Sequence, residues 1–287
     1  PSTPQIRAAL QAQGSAALVY LVPADGPEPG LAVVVPAAEP VEVLELPDLG
    51  TGPELRHYGE AYTAWHHPEE PQPAEDRRAC FETWRARLTD LTRWAWRVAG
   101  AELAELAHRL PPGTGEDPPH LVLAPFGTLA LVPWHAAAGP EGSGDLADAA
   151  VVSTTPSARL LCQAVTRHTG VDGAQLVIGN PSGDLRAAGA EARALVAAFY
   201  PEATYLGQPG DGVPDPDGTG SAVEVLDRLR DGSPSLSVLH LACHARAEPA
   251  APGRSSLRLA DRWLEVDEIL AVRPTQPFEL DTVQLAA

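Results

Sequence analysis

Ser237-Val-Leu-His-Leu-Ala-Cys-His-Ala245 is the stretch whose reading decides the fold. A short apolar run that breaks into a cluster of polar side chains reads as a strand buried in a parallel sheet. Working outward, residues 175–179 and 203–206 are runs of the same kind. Residues 185–200 and 221–230 lie between these strands and carry helical patterns. Strands alternating with helices of this length predict βαβ units and a mostly parallel sheet. Open sheets of this type bind ligands just beyond the carboxyl ends of their strands. His240, Cys243 and His244 therefore stand where chemistry is expected.

Further from this centre, residues 17–22, 31–35 and 41–46 read as three strands, the first two joined as in a hairpin or meander. Residues 48–75, rich in Pro, Gly, His and Glu, read as a loop that includes His66 and His67. A stripe of Phe81, Trp84, Leu88, Leu91, Ala95 and Val98 predicts a helix over 77–109, with its aromatic residues in the core. Residues 120–124 and Val151-Val152 are strands, and Thr155-Pro156-Ser157 opens a helix. Residues 257–264 form a hairpin turning at 260–262, 266–272 a short helix, and 282–287 a further buried strand. No internal repeat is present.

The chain has 287 residues, 44% hydrophobic and 20% charged, the balance of a globular protein with a core of its own. A net charge of −18 leaves no basic footprint for nucleic acid and suits basic partners or substrates. All the basic residues are Arg, Met is absent and Asn180 is the sole Asn, a bias that points to a GC-rich bacterial genome. The absent initial Met suggests a trimmed chain or a fragment. Three cysteines, an odd number, do not make a disulfide scaffold and suit a reducing, cytoplasmic setting. No signal peptide opens the sequence. The apolar stretch 121–138 is interrupted by Pro125, Gly127, Pro133 and His135, so no membrane span is expected.

Three chemical readings compete for the 240–244 cluster. A zinc site would need further convergent ligands, and no second Cys/His cluster supplies them. Cys243 as a nucleophile conflicts with strand alternation, which puts it on the side of Leu239 and Leu241, where a buried Cys is inert. His244 as a general base, serving a nucleophile from another strand, fits its place at the strand end. The plain alternative is that both histidines are hydrogen-bonded structural residues. Gly179-Asn-Pro-Ser-Gly183 is a strand-to-helix turn able to line a pocket, without the spacing of a phosphate loop or dinucleotide fingerprint, so no cofactor is implied. Thr155-Pro-Ser157 lacks the flanking glycines of a serine nucleophile elbow.

Several blocks, in order and spacing, resemble the CHAT domain, a caspase-like cysteine peptidase family in the group that includes separase and the caspases. They are Leu121-Val-Leu-Ala-Pro-Phe-Gly-Thr-Leu-Ala-Leu-Val-Pro-Trp-His-Ala-Ala137, Thr155-Pro-Ser-Ala-Arg-Leu160, Leu176-Val-Ile-Gly-Asn-Pro181 with Asp184-Leu185, Ala188 and Glu191-Ala192, Leu239-His-Leu-Ala-Cys-His244, and Ser256-Leu-Arg-Leu-Ala-Asp261 with Trp263-Leu264. The resemblance runs from about Leu18. It implies a caspase-like three-layer fold over 166–287, with helices on both faces of a mostly parallel sheet. A smaller α+β, pseudo-caspase-like half would occupy 1–165.

The resemblance also implies a bacterial cysteine endopeptidase that cleaves a protein or peptide substrate, under the control of sensor domains or regulatory partners. His244 matches the catalytic His. Ala245 stands where the family most often has Gly, whose backbone N–H helps form the oxyanion hole. Asp184 falls where related enzymes place a pocket carboxylate for a basic substrate side chain; its plainer reading is a cap on the helix from Leu185. The family's nucleophilic Cys ends a strand with a pattern similar to Val-Gln-Leu-Ala-Ala, so it is expected at the position after Ala287. The alternative function is a pseudoprotease that keeps the fold as a signalling or interaction scaffold.

Overall fold

The computed structural model describes residues 1–50, 52–66, 73–111, 117–141, 144–166, 173–209, 215–231, 236–248 and 251–272. The chain divides into two compact units, Pro1–Thr166 and Arg167–Ala287.

In the first unit, α1 (Thr3–Gln13) leads into a meander of β1 (Ala17–Val22), β2 (Gly30–Pro36) and β3 (Glu42–Leu46). Three helices follow: α2 (Pro53–His66), α3 (Ala74–Ala95) and α4 (Ala101–Arg109). Then come β4 (His120–Pro125), the one-turn α5 (Leu146–Ala149), β5 (Val151–Thr154) and α6 (Ala158–Thr166). The sheet order is β3-β2-β1-β4-β5, antiparallel within the meander and parallel from β1 to β5. Alternation along β1 divides the core in two. Ala17, Val19 and Leu21 pack with Leu91, Trp94 and Leu103 from the α3–α4 side, while Leu18 packs with Leu10 of α1 and Leu161 of α6.

Helices therefore cover both faces of this sheet. Residues 53–66, expected as loop, form α2. Pro53 and Glu54 suit a helix start, and Leu55, Tyr58, Tyr62 and Trp65 recur at helical spacing within the Pro/His/Glu-rich composition. Trp65 meets Phe81 of α3 at a ring-centroid distance of 5.1 Å. The helix read over 77–109 passes through a π-helical turn at Trp96–Gly100 between α3 and α4.

In the second unit, β6 (Ala174–Gly179), α7 (Arg186–Phe199), β7 (Thr204–Gly207), α8 (Ala222–Asp231) and β8 (Leu236–Ala242) alternate as the sequence predicts. The three strands are parallel in the order β7-β6-β8. Leu176, Ile178 and Leu239 pack against Ala222, Val225 and Leu229 of α8, and Val177 packs against Ala192 and Val196 of α7 on the other face. Gly179 lets α7 come close, since a Cβ there would meet that of Ala192 at 2.7 Å.

An antiparallel ribbon follows, built from β9 (Ala245–Arg246), β10 (Ser256–Arg258) and β11 (Trp263–Glu265), then α9 (Val266–Leu270). Leu259 and Leu264 are fully buried in the α8-side core, each contributing about 2 kcal/mol. The ribbon's turn is pinned to the start of α8. The Ala222 N–H donates to Asp261 Oδ1 at 2.8 Å, and the Ala260 N–H donates to the Gly220 carbonyl at 3.0 Å. The strand expected at 282–287 lies outside the described residues. Among the described residues no helix is long and apolar enough to cross a membrane.

Candidate functional site

β6 and β8 run side by side in parallel, with Gly179 opposite Ala242, so the segments leaving their carboxyl ends emerge together. Asn180 fastens them: its N–H donates to the Ala242 carbonyl at 2.8 Å. Asn180 is buried and sits in the left-handed region at φ 49°, which Asn tolerates better than most residues. Its side-chain Oδ1 accepts the Leu185 N–H at 2.7 Å, and its carbonyl accepts the Gly183 N–H at 3.0 Å. These bonds fold residues 180–185 into a compact turn above the strand ends. The turn presents Ser182 and Asp184.

His244 follows β8 by two residues. Its Nε2 lies 3.0 Å from Asp184 Oδ2, while Ser182 Oγ donates to Asp184 Oδ1 at 2.5 Å. The Ser182 bond first, and the His244 bond next, hold the Asp184 carboxyl below the usual carboxylate range. The pair is open to solvent, with the His244 side chain 42% and the Asp184 side chain 61% exposed. A neutral imidazole that donates Nε2–H to Asp184 carries its lone pair on Nδ1. The arrangement is thus a histidine oriented by a carboxylate, with one nitrogen left to take a proton.

Ala245 begins the edge strand of the ribbon and is exposed. The Arg258 N–H donates to the His244 carbonyl at 2.8 Å, and Leu257 stands opposite Ala245. Antiparallel pairs alternate between bonded and non-bonded, so the Ala245 N–H points away from β10, toward the side of β9 that has no strand partner among the described residues.

The other members of the cluster separate from this pair. Cys243 continues the Leu239/Leu241 row, and burial pushes its thiol up to about 11, which leaves little thiolate at neutral pH. His240 is buried among α7-side residues. Among the described residues its Nε2 has no hydrogen-bond partner, and Glu191 Oε1 is 3.7 Å away, beyond hydrogen-bond range. Among the described residues no group of three or more His, Cys, Asp and Glu side chains converges as metal ligands.

Asp184 spends both oxygens on Ser182 and His244, and the side chain that secures the start of α7 is that of Asn180. The Asp184–His244 meeting was not read from the sequence. The signal for it was the neighbouring placement of two parallel strands, because residues just past Gly179 and Ala242 must then be adjacent.

Fold and site together describe an α/β protein with a histidine–carboxylate pair at the carboxyl edge of a parallel sheet. The family model for the CHAT domain matches residues 86–287, and the chain belongs to that family, which is related to the caspase-like peptidases. The matched span begins within α3, so the β1–β3 meander lies outside it, although the resemblance was read from about Leu18. No curated protein matches the chain.

Proposed function

We propose that this chain carries the general-base half of a Cys–His peptidase site, in which His244 serves a cysteine at the position after Ala287. The observation that carries the proposal is the pairing of His244 Nε2 with Asp184 at the strand edge, which leaves Nδ1 as the proton acceptor. The nucleophile's position rests on family resemblance, through the Val283-Gln-Leu-Ala-Ala287 pattern. In this reading the thiol gives its proton to Nδ1 and the thiolate attacks the substrate carbonyl, forming a C–S bond. The C–N bond then breaks as the imidazolium returns the proton to the departing amine. Water, deprotonated by the same nitrogen, then attacks the acyl carbon; a C–O bond forms, the C–S bond breaks, and the proton on the imidazolium returns to the departing thiolate.

The Ala245 N–H is the proposed oxyanion donor, and its direction away from β10 supports that role. One such donor is typically worth ~3 kcal/mol of transition-state stabilisation. In the same reading the second unit is the caspase-like protease half and the first its pseudo-caspase-like companion.

The test is a peptidase assay on the protein extended past Ala287 to include that position. His244→Ala should abolish turnover, by about 1,000-fold or more, and Cys243→Ser should leave it intact. Normal turnover in His244→Ala would overturn the proposal. A residue other than Cys at that position would favour the pseudoprotease scaffold instead.

A further inference from the structure

The ribbon that follows His244 carries a charged surface that the peptidase reading leaves unused. Arg258 pairs with Trp263 across β10 and β11, so the two side chains share a face. Trp263 and Glu265 are exposed while Leu264 between them is fully buried, which makes this the solvent face. Arg246 lies on the same face, with its guanidinium carbon 5.4 Å from the centroid of the Trp263 ring. The Arg258 N–H bonds the His244 carbonyl, so this face begins one backbone bond from the proposed base.

Neither arginine has a carboxylate within ion-pair distance among the described residues. By contrast, Arg262, at the turn of the same ribbon, is held by Glu268 at 2.8 Å. On the ribbon strands the face carries one acidic side chain, Glu265, which stands in the same row as Arg246 with Ser256 between them, outside ion-pair distance. In a chain with 20 basic and 38 acidic residues, two guanidiniums without ion-pair partners among the described residues, beside Glu265 alone on the ribbon, are a local excess of positive charge. Trp263 also restricts Arg246, so less freedom is lost when that guanidinium engages a ligand.

We infer that this face is a substrate subsite for a carboxylate side chain next to the scissile bond, recognised by Arg246 and Arg258 with Trp263 as the platform under Arg246. The inference rests on the peptidase reading of His244 and deepens it to a substrate class: peptides with Asp or Glu near the cleaved bond. The net acidity of the chain favours basic partners overall, but a contact at the site is decided by the charges that line it. A peptide running over the ribbon would put an acidic side chain against two planar donor forks, which suit bidentate carboxylate contacts.

The test is binding of fluorescein-labelled ten-residue peptides to the full chain, read by anisotropy at low salt. One peptide carries a central Glu, one Gln and one Lys. The Glu peptide should bind about 10-fold more tightly than the Gln peptide, and the Lys peptide more weakly still. The Arg246→Gln/Arg258→Gln variant should lose that preference while its affinity for the Gln peptide stays the same. Trp263→Leu, which keeps both charges and the apolar surface, should reduce the preference part of the way. Equal binding of Glu and Gln peptides, or a preference that survives the double arginine variant, overturns the inference.

Cleavage by the extended protein separates this from the reading beneath it. His244-dependent cleavage without acidic preference removes the subsite and leaves the peptidase. Acidic binding preference with cleavage indifferent to His244 does the reverse.

Discussion

Asn180 gives the sharpest test of how the site is assembled, because it combines three local demands in one side chain. Its backbone is left-handed at φ 49°, its Oδ1 accepts the Leu185 N–H at 2.7 Å, and its N–H ties β6's end to Ala242 of β8. Asn180→Ala removes the acceptor and puts a Cβ-bearing residue without local polar compensation in the left-handed region. The strain costs about 1–2 kcal/mol. The orphaned Leu185 N–H adds about 1 kcal/mol, for a total of about 2–3 kcal/mol. Asn180→Gly loses the same hydrogen bond but relieves the strain, at about 0.5–1 kcal/mol of backbone entropy, for a total of about 1.5–2 kcal/mol.

Urea denaturation of each variant gives the free energies, and amide exchange at Leu185 reports the turn directly. Ala should be the worse substitution by about 0.5–1 kcal/mol, and Leu185 should exchange at least about 10-fold faster in both variants. The ring signals of His244 should change in both, because the turn that carries Asp184 is no longer fixed. The reasoning is refuted if Gly destabilises as much as Ala, or if both stay within about 0.5 kcal/mol of the parent.

Asp184→Ala should leave the fold intact, shift the His244 tautomer seen by nitrogen NMR, and lower kcat of the extended protein by about 10–100-fold at constant KM. A rise in KM confined to peptides with a basic side chain would instead assign Asp184 to substrate binding. His120, whose ring accepts or donates to Ser15 Oγ at 2.9 Å and Ser153 Oγ at 2.8 Å, is held below its ordinary value by burial. The unfolded chain therefore binds more protons than the folded one below about pH 6.5, so the stability of the neutral ring is full above that value and is lost as pH falls. Urea midpoints from pH 8 to 5 should fall more steeply for the parent than for His120→Gln, and parallel curves would remove His120 from the acid response.

The second unit was more legible in the sequence than the site it carries. Leu176–Gly179, Tyr205-Leu206 and Leu236–Ala242 are apolar runs separated by turn residues and amphipathic helices, so their alternation gave the parallel sheet. The hairpin was legible because Asp261 lies between two short apolar segments; its cap on Ala222 was not, since that contact spans 39 residues. α2 is hidden by the Pro/Gly/His/Glu-rich composition around it, although Leu55, Tyr58, Tyr62 and Trp65 stand at helical spacing. The mixed first sheet gave up its strands but not its architecture. Which helices cover which face depends on packing partners such as Leu10 and Leu161, far apart in sequence.

The Asp184–His244 pair is hard to account for as a device of stability. Both side chains are largely in water, where an ion pair contributes little because solvent screens it and two side chains must be ordered. The surroundings nevertheless fix the pair's geometry. Ser182 occupies the second oxygen of Asp184, Asn180 accepts a strained backbone to close the turn, and the Arg258 N–H restrains the backbone of His244. Strain and ordering concentrated around an exposed pair are what the proposed general-base role of His244 would require, because a base has to be aimed before a substrate arrives. Among the described residues Nδ1 has no hydrogen-bond partner, and the Ala245 N–H faces away from β10. Position, rather than binding energy, is therefore what this part of the sequence specifies, and Asn180 sets the geometry of the Asp184–His244 pair without belonging to it.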